Sequence, residues 1–151
     1  MSTTTAGPDA PVTIQEVSRR SGLSEPTLRY YEKIGLIGPV DRDESSGHRR
    51  YSAADVATIE ALSCLRSTGT SVQDMHAYLR HLRADDAGQL RELFERNAER
   101  VEQEIERLHV RLRYLRGKVG LWSARERGDV DAEHRALDDV ASVITELGVL
   151  T

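Results

Sequence analysis

The run Thr27-Leu28-Arg29-Tyr30-Tyr31-Glu32-Lys33 carries the side chains of this 151-residue chain best suited to act on another molecule. An arginine guanidinium is a planar fork that takes a guanine edge or a phosphate through parallel hydrogen bonds, which makes Arg29 the candidate reader. Thr27, Tyr30 and Lys33 offer donors matched to phosphate oxygens. Arg42, His48, Arg49 and Arg50 make a second basic cluster further along. A solvated charged face explains one such cluster on a generic helix better than it explains two set in a common frame, so the pair points to nucleic acid.

Enzyme chemistry needs a nucleophile with its base, a metal cluster or a phosphate-cradling loop, and none is present. His48, His76, His81, His109 and His134 do not pair with carboxylates at ligand spacing, and the glycines form no Gly-x-Gly-x-x-Gly or Walker-type run. Cys64 is the only cysteine. It excludes an internal disulfide and a zinc site of paired cysteines, and leaves one thiol. No enzyme activity, cofactor or metal is expected.

Charged residues make up 30% and aromatics 5%, which predicts a mainly helical protein with a modest core. The net charge of −4 is unevenly spread: residues 12–83 carry net +1 and residues 84–151 net −4. DNA contacts must therefore come from clustered arginines in the first half. No stretch free of Asp, Glu, Lys and Arg exceeds eight residues, Met1 to Pro8, against roughly twenty mostly apolar ones for a spanning helix. Residues 1–11 lack a basic and an apolar signal region and read as a disordered tail, so the expected location is cytoplasmic, on the nucleoid.

The elements that would position these groups are marked by Ser or Thr followed three residues later by an acid, a helix-opening pattern. Thr13 with Glu16 opens a helix to about Arg20, Ser52 with Asp55 one to about Ser67, and Ser71 with Asp74 one to about Arg83. Ser24 opens another that tolerates Pro26 in its first turn and stops at Gly35. The first two helices, joined at Ser21-Gly22-Leu23, have the dimensions of a helix-turn-helix, with Thr13 and Ser24 at the helix starts counted among the DNA-facing residues. Between Gly38 and Tyr51 a hairpin with a Ser-Gly loop is expected to lean on the helices as a wing. Residues 12–83 thus form a predicted winged helix-turn-helix domain.

From Phe94 the apolar residues run Ala98, Val101, Ile105, Leu108, Leu112, Leu115, Val119, Trp122, alternating steps of four and three. This is a heptad seam on a long helix spanning 84–127, and its natural cover is a second copy of the chain through residues 94–122. Packing on the N-terminal domain is the alternative, disfavoured because that domain is too small for so long a helix. Gly117 and Gly120 are expected to loosen the far end. The period leaves parallel and antiparallel pairing open. Residues 128–151 are predicted to hold one short acidic, amphipathic helix on Leu137, Val140, Ile144 and Leu147.

Taken together, Thr13-Ile14-x-Glu16-Val17, Ser21-Gly22-Leu23-Ser24, Thr27-Leu28-Arg29-Tyr30-Tyr31-Glu32-x-x-Gly35-Leu36-Ile37 and Gly47-His48-Arg49-Arg50-Tyr51-x-x-x-Asp55-Val56 resemble the MerR family of bacterial transcription regulators across residues 12 to about 125. The resemblance implies a homodimer joined by an antiparallel coiled coil, with each second helix in the major groove of a palindromic promoter. It also implies activation by bending and untwisting DNA until RNA polymerase engages both promoter elements, a form of indirect readout. By the same resemblance Arg29 and Tyr30 contact DNA, and Arg49 with its wing neighbours holds the backbone. His48 stands where a wing aromatic is common.

Metal-sensing members carry cysteines after the coil, and this chain has none there. It is similar instead to a branch with one cysteine on the third helix that responds to aldehydes, other electrophiles or thiol stress, which makes Cys64 the candidate effector or redox residue. On a helical wheel Val56, Ile59 and Leu62 mark the buried face, and Cys64 lies round from it near Ala57 and Glu60. A small buried hydrophobe is the alternative. The partial negative charge of a helix end opposes a thiolate unless Arg66 or the partner subunit compensates. Two regulators remain open: one switched by a small effector, with Trp122 the aromatic alternative to Cys64, and an architectural or constitutive repressor with no effector.

Overall fold

The computed structural model describes residues 10–148; residues 1–9 of the expected tail lie outside the described residues. In chain order it holds α1 (Ile14–Ser21), α2 (Glu25–Lys33), β1 (Asp41–Arg42), β2 (Arg49–Arg50), α3 (Ala53–Ser67), α4 (Val72–Arg83), α5 (Ala87–Arg127) and α6 (Val130–Leu147). The architecture is mainly helical, and the chain divides into two compact units between Phe94 and Glu95.

Local chemistry sets the helix starts of the first unit. Thr13, Ser24, Ser52 and Ser71 each accept the backbone N–H three residues on, satisfying an amide that has no partner inside the helix. Only Ser52 makes the reciprocal arrangement, Asp55 accepting from the Ser52 N–H at 2.9 Å. At Thr13 the carboxylate of Glu16 is taken instead by Arg19 and Arg20 at 2.6 and 2.9 Å, and those hydrogen bonds hold it down at about 2. Gly22, at φ 73°, makes the turn between α1 and α2 in a left-handed conformation that a side chain would strain.

The wing is pinned at both ends. β1 and β2 pair antiparallel, Asp41 with Arg50 and Arg42 with Arg49. Asp43 closes the loop by accepting from the N–H and hydroxyl groups of Ser45 and Ser46 at 2.6 to 3.2 Å, and these bonds draw its carboxyl well below the usual range. Next to β2, Tyr51 exchanges two backbone hydrogen bonds with Val12, both 2.9 Å. Its ring is wholly buried in a core that includes Val17, Leu28, Tyr31, Ile59 and Leu62. The hairpin, marginal alone, is held by this anchor. At the other limit of the unit Leu93 is buried, and Phe94 meets Tyr78 edge-on with ring centres 6.0 Å apart.

In the second unit α6 runs back along α5. Gly128 turns the chain at φ 70° and Asp129 caps α6. Arg113 then pairs with Glu146, and Arg125 with Glu133 at 2.9 Å. Leu121, Ala124, Val140 and Val143 are buried between them. The expectation for Gly117 is corrected here: α5 runs unbroken to Arg127, and a Cβ at 117 would stand 2.8 Å from a methyl of Val140. That glycine admits the neighbouring helix. Leu137 stays 43% exposed. Ile105, Leu108, Leu112, Leu115, Val119 and Trp122 form an apolar stripe 42 to 68% exposed.

Candidate nucleic-acid interface

The 3.6-residue period decides which side chains α2 offers. Leu28 and Tyr31 point into the core, and Arg29, Tyr30 and Lys33 are consequently exposed. Arg29 leans on Glu25 one turn back at 3.3 Å, an exposed pair worth only a few tenths of a kcal/mol and easily exchanged for a ligand. Thr27 is less free than its type suggests. Its hydroxyl lies 2.8 Å from that of Ser24 and accepts from Arg66 of α3 at 3.1 Å.

The wing residues divide by partner. Arg42 donates to the Gly47 carbonyl at 3.1 Å, and Arg50 pairs with Asp43 at 3.6 Å. His48 is exposed. Arg49 reaches across to α2, its Nε 3.3 and 3.4 Å from the two carboxylate oxygens of Glu32, with both side chains only about a fifth exposed. A cleft of about 330 Å³ joins the starts of α1 and α2 to the wing; Thr13, Arg42, His48 and Arg49 line it, together with Glu25. Beneath the wing the Tyr51 phenol is pushed up by burial, and its hydroxyl has no hydrogen-bond partner among the described residues.

Cys64 is exposed on α3. Beside it Ser63 donates to the Ser21 carbonyl at 2.5 Å, and Arg66 holds Thr27. The helix that bears the thiol therefore braces both the turn and the start of α2. Arg66 is engaged on Thr27, so it has a partner other than a thiolate. Among the described residues no group of three or more His, Cys, Asp or Glu could hold a metal ion, and no helix is long and apolar enough to cross a membrane.

Sequence reasoning gave Glu32 no role and gave Arg66 only that of a countercharge to the Cys64 thiolate. Their partners lie 17 and 39 positions away, and no local pattern signals such a pair.

The family model for MerR HTH family regulatory proteins matches residues 12–82. The HTH-type transcriptional regulator AdhR of Bacillus subtilis is 43% identical over 65 residues, 43% of this chain and 46% of that protein. The matches thus span about half the length of AdhR and of the Bacillus subtilis regulator YyaN. An uncharacterized HTH-type transcriptional regulator of Haemophilus influenzae is 33% identical over 123 residues, 80% of this chain and 90% of that one. Among solved structures, HiNmlR, a MerR family regulator lacking the sensor domain and bound to promoter DNA, superposes with a TM-score of 0.64 at 31% identity, over 82% of this chain and 95% of its own. With its helix-turn-helix, its wing and a relative of this kind matched over almost its whole length, the chain belongs to the MerR family of helix-turn-helix regulators.

Proposed function

We propose that the chain is a transcription regulator that binds double-stranded promoter DNA as a homodimer and alters transcription by distorting it. The observation that carries this reading is the exposed row Arg29, Tyr30 and Lys33 on α2 beside the basic wing, on a helix sized for the major groove. The DNA-bound HiNmlR supports it. The exposed stripe on α5 supports the homodimer, since a row of large apolar side chains at heptad spacing is stable in water only when covered. In this reading residues 94–122 pair antiparallel with a second copy, RNA polymerase is the partner that reads the distorted promoter, and the protein acts in the cytoplasm.

Cys64 is the effector-responsive residue of this account, and the chain sits with the single-cysteine, electrophile-responsive regulators. Its exposure makes the thiol reachable, and α3 braces α2 through Ser63 and Arg66. Modification adding bulk or polarity at residue 64 would re-angle α2 and change the distortion more than the affinity. Transcription in vitro tests both levels, using a promoter that carries a duplex selected by the protein from a random library. Wild type changes transcript yield, and an aldehyde or diamide shifts that change. Cys64→Ser binds equally and does not respond. No change in yield from the wild type contradicts the regulator; equal responses from both proteins contradict Cys64 and favour a pocket at Trp122. A wild type that alters yield yet ignores every electrophile and oxidant favours a constitutive repressor.

A further inference from the structure

We propose that Glu32 is a positioning residue for DNA binding: its carboxylate takes the Nε–H of Arg49 and leaves the two Nη groups of that guanidinium for a backbone phosphate. The inference rests on the DNA-binding reading and gives it a part that no basic residue supplies. Glu32 sits in α2, between the exposed Tyr30 and Lys33. A carboxylate there repels a polyanion, so by Coulomb's law alone its presence weakens binding. The geometry argues for the opposite net effect. Nε of Arg49 lies 3.3 and 3.4 Å from the carboxylate oxygens of Glu32, and neither Nη has a hydrogen-bond partner among the described residues.

Both ends of this pair are fixed by the core. Glu32 follows the buried Tyr31, and Arg49 lies two residues before Tyr51, whose backbone is locked to Val12 and whose ring is fully buried. Arg49 is also in register opposite Arg42 across the hairpin. The ion pair therefore sets the spacing between α2 and the wing. It also holds a long side chain in one orientation before DNA arrives, which lowers the ordering cost of binding. An arginine is required, because its planar fork serves a carboxylate through Nε and a phosphate through Nη at once, whereas a lysine ammonium is a single point.

The experiment measures binding of the full chain to a duplex selected from a random library by the wild type, across a series of salt concentrations. Glu32→Ala should weaken binding by about tenfold, the worth of a contact to a charged group, and make the log–log salt slope shallower by about 1 as Arg49 leaves its phosphate. Glu32→Gln keeps an acceptor for Nε and should retain most of the affinity. In an Arg49→Ala background the sign changes: Glu32→Ala no longer weakens binding, because only the repulsive charge is removed. Arg49→Lys should bind less tightly than wild type despite its preserved charge. Should Glu32→Ala not fold, judged by its helical spectrum, the Glu32→Gln and Arg49→Lys arms decide. The inference is overturned if Glu32→Ala binds as tightly as wild type or tighter, if it weakens binding equally in the Arg49→Ala background, or if Arg49→Lys binds as wild type. A wild-type chain that enriches no duplex defeats the DNA-binding reading itself, and this inference with it.

Discussion

Replacing Leu108 and Leu112 together by Asp should convert the proposed dimer into a folded monomer. Both leucines lie in the exposed stripe of α5, 57% and 42% exposed in the single chain. The substitutions therefore leave the core around Val17, Leu28 and Tyr51 untouched. In the proposed dimer the same positions lie mid-seam, and each copy would bury two carboxylates without partners. The effective penalty is several kcal/mol per ion, more than the roughly 1.5 to 3 kcal/mol that each buried leucine contributes. Sedimentation equilibrium checks the state, and the helical spectrum checks the fold. A double variant that sediments as the wild-type dimer contradicts the seam.

Arg29→Ala should lower affinity for the selected duplex by about 1 to 3 kcal/mol and relax the preference at one base position, if the guanidinium reads a base edge. The Glu25 pair does not offset this, because an exposed pair one turn apart is worth about 0.3 to 0.5 kcal/mol, several times less than a bidentate base contact. Tyr30, half exposed beside Arg29, lacks a forked donor. Binding isotherms against the duplex and its single-base variants separate the two losses. Arg29→Ala with wild-type affinity and wild-type preference would remove α2 as the reading helix.

Much of the fold was legible because it is locally encoded. Thr13, Ser24, Ser52 and Ser71 each fix a helix start through a bond three residues away. Asp43, Ser45, Ser46 and Gly47 make the wing loop within five residues, and the heptad repeat gives α5 its exposed stripe. What stayed hidden depends on residues far apart in sequence. Gly117 reads as a helix weakener until Val140, 23 positions on, lies against it. Thr27 reads as a free donor until Arg66 occupies it. Arg49 reads as a simple phosphate contact until Glu32 is found on its Nε. Polar side chains in particular keep many partners available until packing selects one. That is why the list of basic residues was readable and the division of labour among them was not.

In the proposed complex two copies of this chain present two α2 helices to one duplex. The mass of the complex between the full chain and its selected duplex, measured by sedimentation at saturating protein, tests it most directly. The expected result is two chains per duplex, on a selected sequence made of two inverted half-sites. A saturated complex holding one chain on a single, asymmetric site would contradict it.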